Sequence, residues 1–260
     1  MSDLTKTLVA LTVGGAVGAI SATILNDKLK RCATGKVAQN LPKLYIYEHC
    51  PYCVRVRMIF GWKNIKHELV FVATDDVDTP VSLIGVKKVP ILEIPGKLKP
   101  KGESLDIIQY VDKHLGGPPI LKQSSVSPGI QKWIQETAPV FRRLYHPRYA
   151  MAPFAEFAQL GGREFYRKKK ESAIGPFNVA IAKTPEFVAK ANQYLLDLEP
   201  LLPRDIINKD EPSYDDIHLF PVLRNLTIVK DVKWPPKVRE YLQCISVETD
   251  ICLLTSMATI

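Results

Sequence analysis

The sequence predicts a small mixed α/β domain followed by an all-helical domain, and two observations support this order. Short β-prone runs alternate with helical stretches from residue 44 to residue 115, whereas no convincing strand pattern follows. A Gly-Gly-Pro-Pro run at 116–119 ends the last of these helices and begins a linker rich in Gly, Ser and Pro. We therefore expect domains at 43–117 and 125–260, preceded by a separate leader at 1–42.

In the first domain, the pattern predicts the order β-α-β, a connection, and then β-β-α, which builds a small mixed sheet with helices on both faces. Pro51 stands where the first helix begins, a position at which its missing N–H is tolerated. The strands are expected at 44–47, 67–72 and 89–94 with a fourth at 97–99, and the helices at 51–63, 79–84 and 104–115.

In the second domain, apolar residues recur at helical spacing, and Ser213 with Asp216 forms a capping-box pattern before an apolar run. Helices are expected near 130–144, 152–171, 185–202, 214–229 and 236–254.

The composition is that of a globular protein, with 46% hydrophobic and 24% charged residues among 260. Five cysteines in a chain of this length do not form a secreted disulfide framework, so we expect a reducing compartment.

About half of the net charge of +8 lies in residues 1–43, which contain no aromatic residue. The basic run at 167–170 is typical of a solvated helix face. We therefore expect no nucleic-acid partner.

The leader contains an uncharged run of 18 residues at 8–25, the minimum length for a membrane span. Lys28, Lys30 and Arg31 follow it and would place the rest of the chain on the cytoplasmic side. We favour an uncleaved anchor that leaves the body of the chain facing the cytoplasm. The alternatives are a cleaved secretory signal, with Ala19-Ile20-Ser21 as the cleavage site, and a soluble or organelle-targeting segment.

A pair of cysteines, Cys50 and Cys53, follows the first strand and begins the first helix. The unpaired N–H groups and the dipole of a helix N-terminus stabilise a thiolate there, which lowers the pKa of Cys50. Cys53 lies one turn deeper, so we expect Cys50 to be the nucleophile and Cys53 the resolving thiol. Pro51 sets the turn between them, and Tyr52 is expected to form a wall of the ligand site.

The alternative interpretation of this C-x-x-C pair is half of a zinc site. Zinc needs a second pair of ligands, but Cys244 and Cys252 are eight residues apart and no H-x-x-x-H pair occurs. The position between a strand and a helix favours redox chemistry, so we expect no metal. No catalytic role is expected for Cys32, Cys244 or Cys252.

Two further features indicate what the site binds. If the bond between Val89 and Pro90 is cis, the proline ring lies against the cysteines and the Val89 backbone can pair with an extended peptide. Ser104 is expected to cap the next helix, whose N-terminus suits a carboxylate, while Glu103 suits an ammonium group. Glutathione has an extended peptide backbone, a carboxylate and an ammonium group, so it can make all three of these contacts.

The second carboxylate of glutathione needs a cation, for which Lys87, Lys88 and Arg57 are unranked candidates. His49 precedes Cys50 and either helps to lower the pKa of that thiol or is simply exposed.

These residues resemble the two-domain bacterial glutaredoxins of the glutaredoxin 2 type, over residues 43–260. The segments that carry the resemblance are 45–53, 57–61, 89–92 and 103–104 in the first domain, and 215–217, 219–221, 223–227 and 234–235 in the second. Residues 1–42 have no counterpart in that pattern.

The resemblance implies a thioredoxin-like domain and an all-α domain in a glutathione-transferase-like architecture. It implies glutathione-dependent reduction of protein disulfides and of glutathionylated proteins, with Cys50 and Cys53 as the redox pair. It implies glutathione contacts at Val89 and Pro90 and at the 103–104 pair, to which we add Tyr52 as the expected wall of the site. We expect a monomer. The alternative function is an omega-like glutathione transferase or isomerase, which would not require Cys53.

Overall fold

The protein is described here by a computed structural model, which covers residues 41–96, 98–121, 126–203 and 211–259. The expectations for the leader, including the apolar run at 8–25 and Cys32, fall outside these residues. Within the described part of the chain, no helix is both long enough and apolar enough to cross a membrane.

The first domain is built on a four-stranded mixed sheet in the order β2-β1-β3-β4. Its strands are β1 (Lys43–Ile46), β2 (Glu68–Phe71), β3 (Ile91–Ile94) and β4 (Leu98–Lys101). The central strand β1 runs parallel to β2 and antiparallel to β3. Leu44 and Ile46 on β1 are fully buried, as expected of a central strand. The predicted mixed sheet is confirmed, with β4 slightly later than expected.

Three helices accompany the sheet: α1 (Pro51–Trp62), α2 (Asp78–Ile84) and α3 (Ser104–His114). Helices α1 and α3 pack against each other, and α2 lies against β3 and β4. Val54, Val56 and Met58 of α1 are fully buried, because the helix is covered by α3 and by the helical domain. Each predicted helix of this domain is present.

The second domain is all-helical. Its α-helices are α4 (Pro128–Tyr149), α5 (Leu160–Ile174), α6 (Phe177–Ala182), α7 (Thr184–Leu198), α8 (Tyr214–Leu226) and α9 (Pro236–Thr249). Short 3₁₀ helices occur at Ala155–Phe157, Glu199–Leu201 and Thr255–Met257.

The helix predicted at 152–171 is divided into a 3₁₀ turn and α5, and the short helix α6 was not predicted. Helix α4 extends to Tyr149 through Pro139 and Pro147. Packing against α5, α6, α7 and α8 sustains α4 past these prolines, although local propensity would end it. The predicted capping box is confirmed: the Asp216 N–H donates to Ser213 Oγ, and the Ser213 N–H donates to the Asp216 carboxylate.

The linker leaves the first domain through a buried ionic contact. The Lys63 ammonium donates to the carbonyls of Gly117 (3.3 Å) and Pro118 (3.2 Å) and lies 3.6 Å from the Asp112 carboxylate. The Asp112 carboxylate accepts from the Ile120 N–H at 2.9 Å. The start of the linker is thereby fixed to the ends of α1 and α3.

Helix α1 is also the element on which the helical domain packs, since it contacts α8 and α9. At Gly61 the two backbones come so close that a Cβ atom would lie 2.1 Å from the Thr249 carbonyl oxygen at the end of α9. A side chain at this position requires α1 and α9 to separate.

We therefore expect Gly61→Ala to lower the free energy of unfolding by about 1–3 kcal/mol, the usual cost of overpacking. Gly129→Ala, in the first turn of α4, is the matched control, because its nearest neighbour would be a Leu201 methyl group at 3.4 Å. Urea unfolding of the two variants measures the difference. Equal destabilisation by both changes would contradict the close approach at Gly61.

Candidate active site

Cys50 lies at the turn between β1 and α1. Its backbone is extended, with φ −76° and ψ 119°, and its N–H donates to the Tyr47 carbonyl at 3.2 Å. Helix α1 begins at the next residue, with Pro51 in its first turn, as predicted. Cys50 is half-buried and Cys53 is fully buried one turn further on. The two thiols therefore differ in their access to solvent.

The two thiols also differ in acidity. A hydrogen bond from the Cys53 thiol, the backbone N–H groups of Cys53 and Tyr52, and the charge of Lys170 outweigh burial and lower the pKa of Cys50. Burial and the neighbouring Cys50 raise the pKa of Cys53. The negative charge is thus held on Cys50, as the position at a helix N-terminus predicts.

His49 is buried, so the alternative of an exposed histidine is wrong. Its Nδ1 lies 2.6 Å from Glu156 Oε1, and its backbone N–H donates to the same oxygen at 3.1 Å. Its ring packs against those of Phe157 and Tyr166 at centroid distances of 5.3 Å and 4.9 Å. Burial lowers the pKa of His49 despite the hydrogen bond with Glu156. The cation that lowers the pKa of Cys50 is therefore Lys170.

Glu48 makes a second connection to the helical domain. The fully buried Arg224 of α8 pairs with the Glu48 carboxylate and donates to the carbonyls of Glu48 (3.1 Å) and Cys252 (2.8 Å). Arg57 donates to both oxygens of the Glu48 carboxylate at 2.9 Å. Arg57 is therefore engaged in this ion pair and is a poor candidate for the glutathione carboxylate.

The peptide bond between Val89 and Pro90 is cis, which is the conformation that the expected pairing of the Val89 backbone with an extended peptide requires. Glu103 forms an ion pair with Lys88 and has a left-handed backbone with φ 61°. The expectation that Ser104 caps the helix is wrong by one residue. Helix α3 begins at Ser104 itself, so Glu103 occupies the capping position and its side chain makes no cap hydrogen bond.

A cleft of about 490 Å³ lies beside Cys50 and is lined by residues of both domains. From the predicted set, Cys50, Tyr52 and Val89 line it, as do two of the three candidate cations, Lys87 and Lys88. Tyr52 is 53% exposed and forms part of the wall. Cys53 is buried behind Cys50, while Glu103 adjoins the cleft through its ion pair with Lys88.

The far wall of the cleft belongs to the helical domain and was missed by sequence reasoning. It consists of Arg142, Tyr145, His146, Tyr149, Phe165, Tyr166, Lys169, Lys170, Ala173, Ile174 and Asn225. One signal is present in the sequence, since Lys169 and Lys170 belong to the basic run at 167–170, for which the sequence predicts a solvated helix face. Two of its four residues instead face the cleft.

In the described residues, no three His, Cys, Asp or Glu side chains are grouped so as to hold a metal ion. The chemistry of the site rests on its thiols. A reactive thiolate beside a buried thiol of higher pKa suits thiol–disulfide exchange, because one attacks while the other resolves. Together with the mixed sheet and the helical domain, this pair defines a thiol–disulfide oxidoreductase of thioredoxin-like fold and glutathione-transferase-like architecture.

Comparison with known proteins specifies the family. Residues 129–258 match the family model "Glutaredoxin 2, C terminal domain", and residues 44–119 match "Glutathione S-transferase, N-terminal domain". Glutaredoxin 2 of Escherichia coli K12 is 41% identical over 83% of this chain and 99% of its own length. The chain belongs to the glutaredoxin 2 family.

Two solved structures share the fold of this chain. Glutaredoxin 2 of Salmonella typhimurium, determined in complex with glutathione, superposes with a TM-score of 0.79 at 41% identity, over 85% of this chain and all of that one. Glutathione transferase GSTFuA3 of Phanerochaete chrysosporium superposes with a TM-score of 0.56 at 14% identity, over 80% and 97% of the two chains. The second likeness concerns the fold alone.

The hydrogen bond from Cys53 can be tested through the acidity of Cys50. Because its pKa is lowered from the ordinary cysteine value of 9.0, Cys50 becomes a thiolate at a lower pH than an ordinary cysteine does. We expect Cys53→Ala to raise the pH midpoint of Cys50 alkylation, because the thiol donor is lost. Cys53→Ser keeps a donor and should raise it less. Mass spectrometry of the Cys50 peptide after iodoacetamide pulses measures the midpoint, and equal midpoints in all three proteins would contradict this origin of the shift.

Proposed function

We propose that this protein is a glutathione-dependent disulfide oxidoreductase that reduces protein disulfides and glutathionylated proteins through Cys50. The observation that carries the proposal is the unequal pair of thiols at the N-terminus of α1, with the more acidic thiol lining the cleft. The Salmonella relative, determined in complex with glutathione, supports the choice of glutathione as co-substrate.

In the proposed reaction on a glutathionylated protein, the Cys50 thiolate attacks the glutathione sulfur. A bond forms between Cys50 and that sulfur, the mixed disulfide breaks, and the protein leaves as a thiolate that takes up a proton. The thiolate of a second glutathione then attacks the bound glutathione sulfur. Glutathione disulfide leaves and the Cys50 thiolate is restored, so the two electrons come from glutathione.

In the proposed reaction on a protein disulfide, the Cys50 thiolate attacks one substrate sulfur and the other leaves as a thiolate. Cys53 then loses its proton and attacks Cys50, which releases the reduced protein and forms a disulfide between Cys50 and Cys53. Two glutathione molecules reduce that disulfide. The burial of Cys53 directly behind Cys50 supports a role as the resolving thiol.

Glutathione is proposed to bind along the first domain. Its cysteine backbone pairs with that of Val89 beside Pro90, and Tyr52 closes the side of the cleft. The γ-glutamyl end lies at Glu103 and at the N-terminus of α3, where Ser104 is the first helical residue. The Glu103 side chain is 65% exposed, so it can exchange Lys88 for the ligand's ammonium group.

Lys87 is the candidate for the glycyl carboxylate. Its ammonium lies 3.8 Å from the centroid of the Phe165 ring at the wall of the cleft. This buried nitrogen has no hydrogen-bond acceptor among the described residues. Of the other candidates, Arg57 is paired with Glu48 and Lys88 with Glu103. A ligand carboxylate would satisfy the Lys87 ammonium.

The cysteine roles predict two different losses of activity. We expect Cys50→Ser to abolish the reduction of a glutathionylated protein and of a protein disulfide. We expect Cys53→Ser to keep the first reaction, which needs one thiol, and to lose the second. A glutathione-coupled assay with glutathione reductase and NADPH follows both reactions on the same preparations.

Turnover retained by Cys50→Ser, or equal loss of both reactions in Cys53→Ser, would contradict the proposed roles. Efficient conjugation of an electrophile with negligible disulfide reduction would instead favour the transferase alternative.

The role of Lys87 predicts a specific change in the use of glutathione. We expect Lys87→Met to raise the KM for glutathione roughly tenfold, as the loss of a charge-assisted hydrogen bond would. Glutathione amidated at its glycyl carboxylate is the matched probe. The KM of the wild type for amidated glutathione should equal the KM of the variant for ordinary glutathione. Amidation should not raise the KM of the variant any further. Additive losses would contradict the pairing of Lys87 with this carboxylate.

The proposal for the leader rests on sequence alone: the uncharged run at 8–25 anchors a monomer with its catalytic domains facing the cytoplasm. Membrane fractionation of the full chain, compared with a version that begins at Leu41, tests the anchor. Recovery of both in the soluble fraction would reject it.

A further inference from the structure

The charges that line the active-site cleft are unbalanced. Five cationic side chains line it, and no aspartate or glutamate does so within the part of the chain that the structure describes. The cations are Lys87, Lys88, Arg142, Lys169 and Lys170. Glutathione carries two carboxylates and one ammonium group, so this excess is more than that ligand needs.

The five cations divide between the two walls. Lys88 is paired with Glu103, and Lys87, which the nearby Asp75 and Asp76 partly offset, is assigned above to the glycyl carboxylate. Arg142, Lys169 and Lys170 lie across the cleft on α4 and α5. We call these three residues the basic wall.

One residue of the basic wall, Lys170, acts on the reacting thiol, because its charge lowers the pKa of Cys50. Lys170 is half-buried, with its ammonium 5.5 Å from the centroid of the Tyr166 ring. Burial lowers the pKa of Lys170, the positive charges of Lys169 and Arg142 lower it further, and the Cys50 thiolate opposes them. The three cations therefore repel one another, and this repulsion would be relieved by an anionic ligand beside Cys50.

The neighbouring cations of α5 differ from the basic wall. Arg167 lies 3.8 Å from the Glu171 carboxylate on its own helix, and neither Arg167 nor Lys168 lines the cleft. Lys168 and Lys169 are both exposed. Lys169 and Lys170 thus differ from Arg167 and Lys168 in that their side chains line the cleft, although all four belong to the same run of positive charge.

We propose that the basic wall is a second subsite that binds an acidic segment of the glutathionylated substrate protein, next to the modified cysteine. This proposal rests on the proposed function and names its substrate class. In the reaction described above, glutathione occupies the first-domain wall and the departing protein thiol faces the helical domain. Aspartate or glutamate residues beside that thiol meet Arg142, Lys169 and Lys170.

The test uses three glutathionylated peptides of equal length, with acidic, neutral or basic residues on both sides of a single cysteine. The full chain is assayed at saturating glutathione, and kcat/KM is measured at low and high salt. We expect the wild type to prefer the acidic peptide over the neutral one and the neutral one over the basic one. High salt should reduce the preference, because it screens exposed charges.

Lys169→Glu and Lys168→Glu form a matched pair, since they make the same change of charge at adjacent exposed positions of α5. We expect Lys169→Glu to lower the ratio of kcat/KM between acidic and neutral peptides by about threefold to tenfold. Lys168→Glu should leave that ratio unchanged.

Four results would overturn the proposal. Equal kcat/KM for all three peptides in the wild type would reject the subsite while leaving the proposed function intact. An equal fall of the ratio in both variants would show an effect of net charge. A higher KM for glutathione in Lys169→Glu with an unchanged peptide ratio would assign the basic wall to glutathione instead. Failure of the wild type on every peptide would reject the proposed function as well.

Discussion

The active site depends on two polar contacts, one ion pair and one histidine hydrogen-bond pair, across the boundary between the sheet domain and the helical domain. Glu48 is paired with the fully buried Arg224, and His49 is held through both its ring and its backbone by Glu156. A buried guanidinium is tolerated only when it is paired, and removal of one partner from such a pair typically costs about 3–5 kcal/mol. The two residues before Cys50 are therefore fixed by the helical domain as much as by β1.

This attachment explains how the acidity of Cys50 is set. The N–H groups at the start of α1 can stabilise a thiolate only if the turn before α1 keeps its conformation, and Glu48 and His49 form that turn. The helical domain also supplies the charge of Lys170, which lowers the pKa of Cys50 further. The reactive thiol is thus local in sequence, but its environment is built by both domains.

The same distinction separates what the sequence could predict from what it could not. The C-x-x-C pair, the capping box and the position of Pro90 are local patterns, and each follows from a rule about a strand end, a helix start or a proline. The partners Glu156 and Arg224 lie 107 and 176 residues from the residues that they hold. No periodicity relates such distant positions, so only the tertiary structure reveals them. The one-residue shift at Ser104 is of another kind: side-chain preference favours Ser as the capping residue, but the backbone places Glu103 there without a side-chain cap hydrogen bond.

The basic run at 167–170 shows why composition alone misleads about a helix face. Four adjacent cations point in different directions around a helix, roughly 100° apart. Arg167 turns to a glutamate of its own helix, whereas Lys169 and Lys170 turn to the cleft. The sequence shows that four cations are present, but the orientation of α5 relative to Cys50 determines which of them line the cleft. With the proposed glutathione site on one domain and an excess of positive charge on the other, the proposed subsite would select a substrate protein without changing the thiol chemistry that both walls enclose.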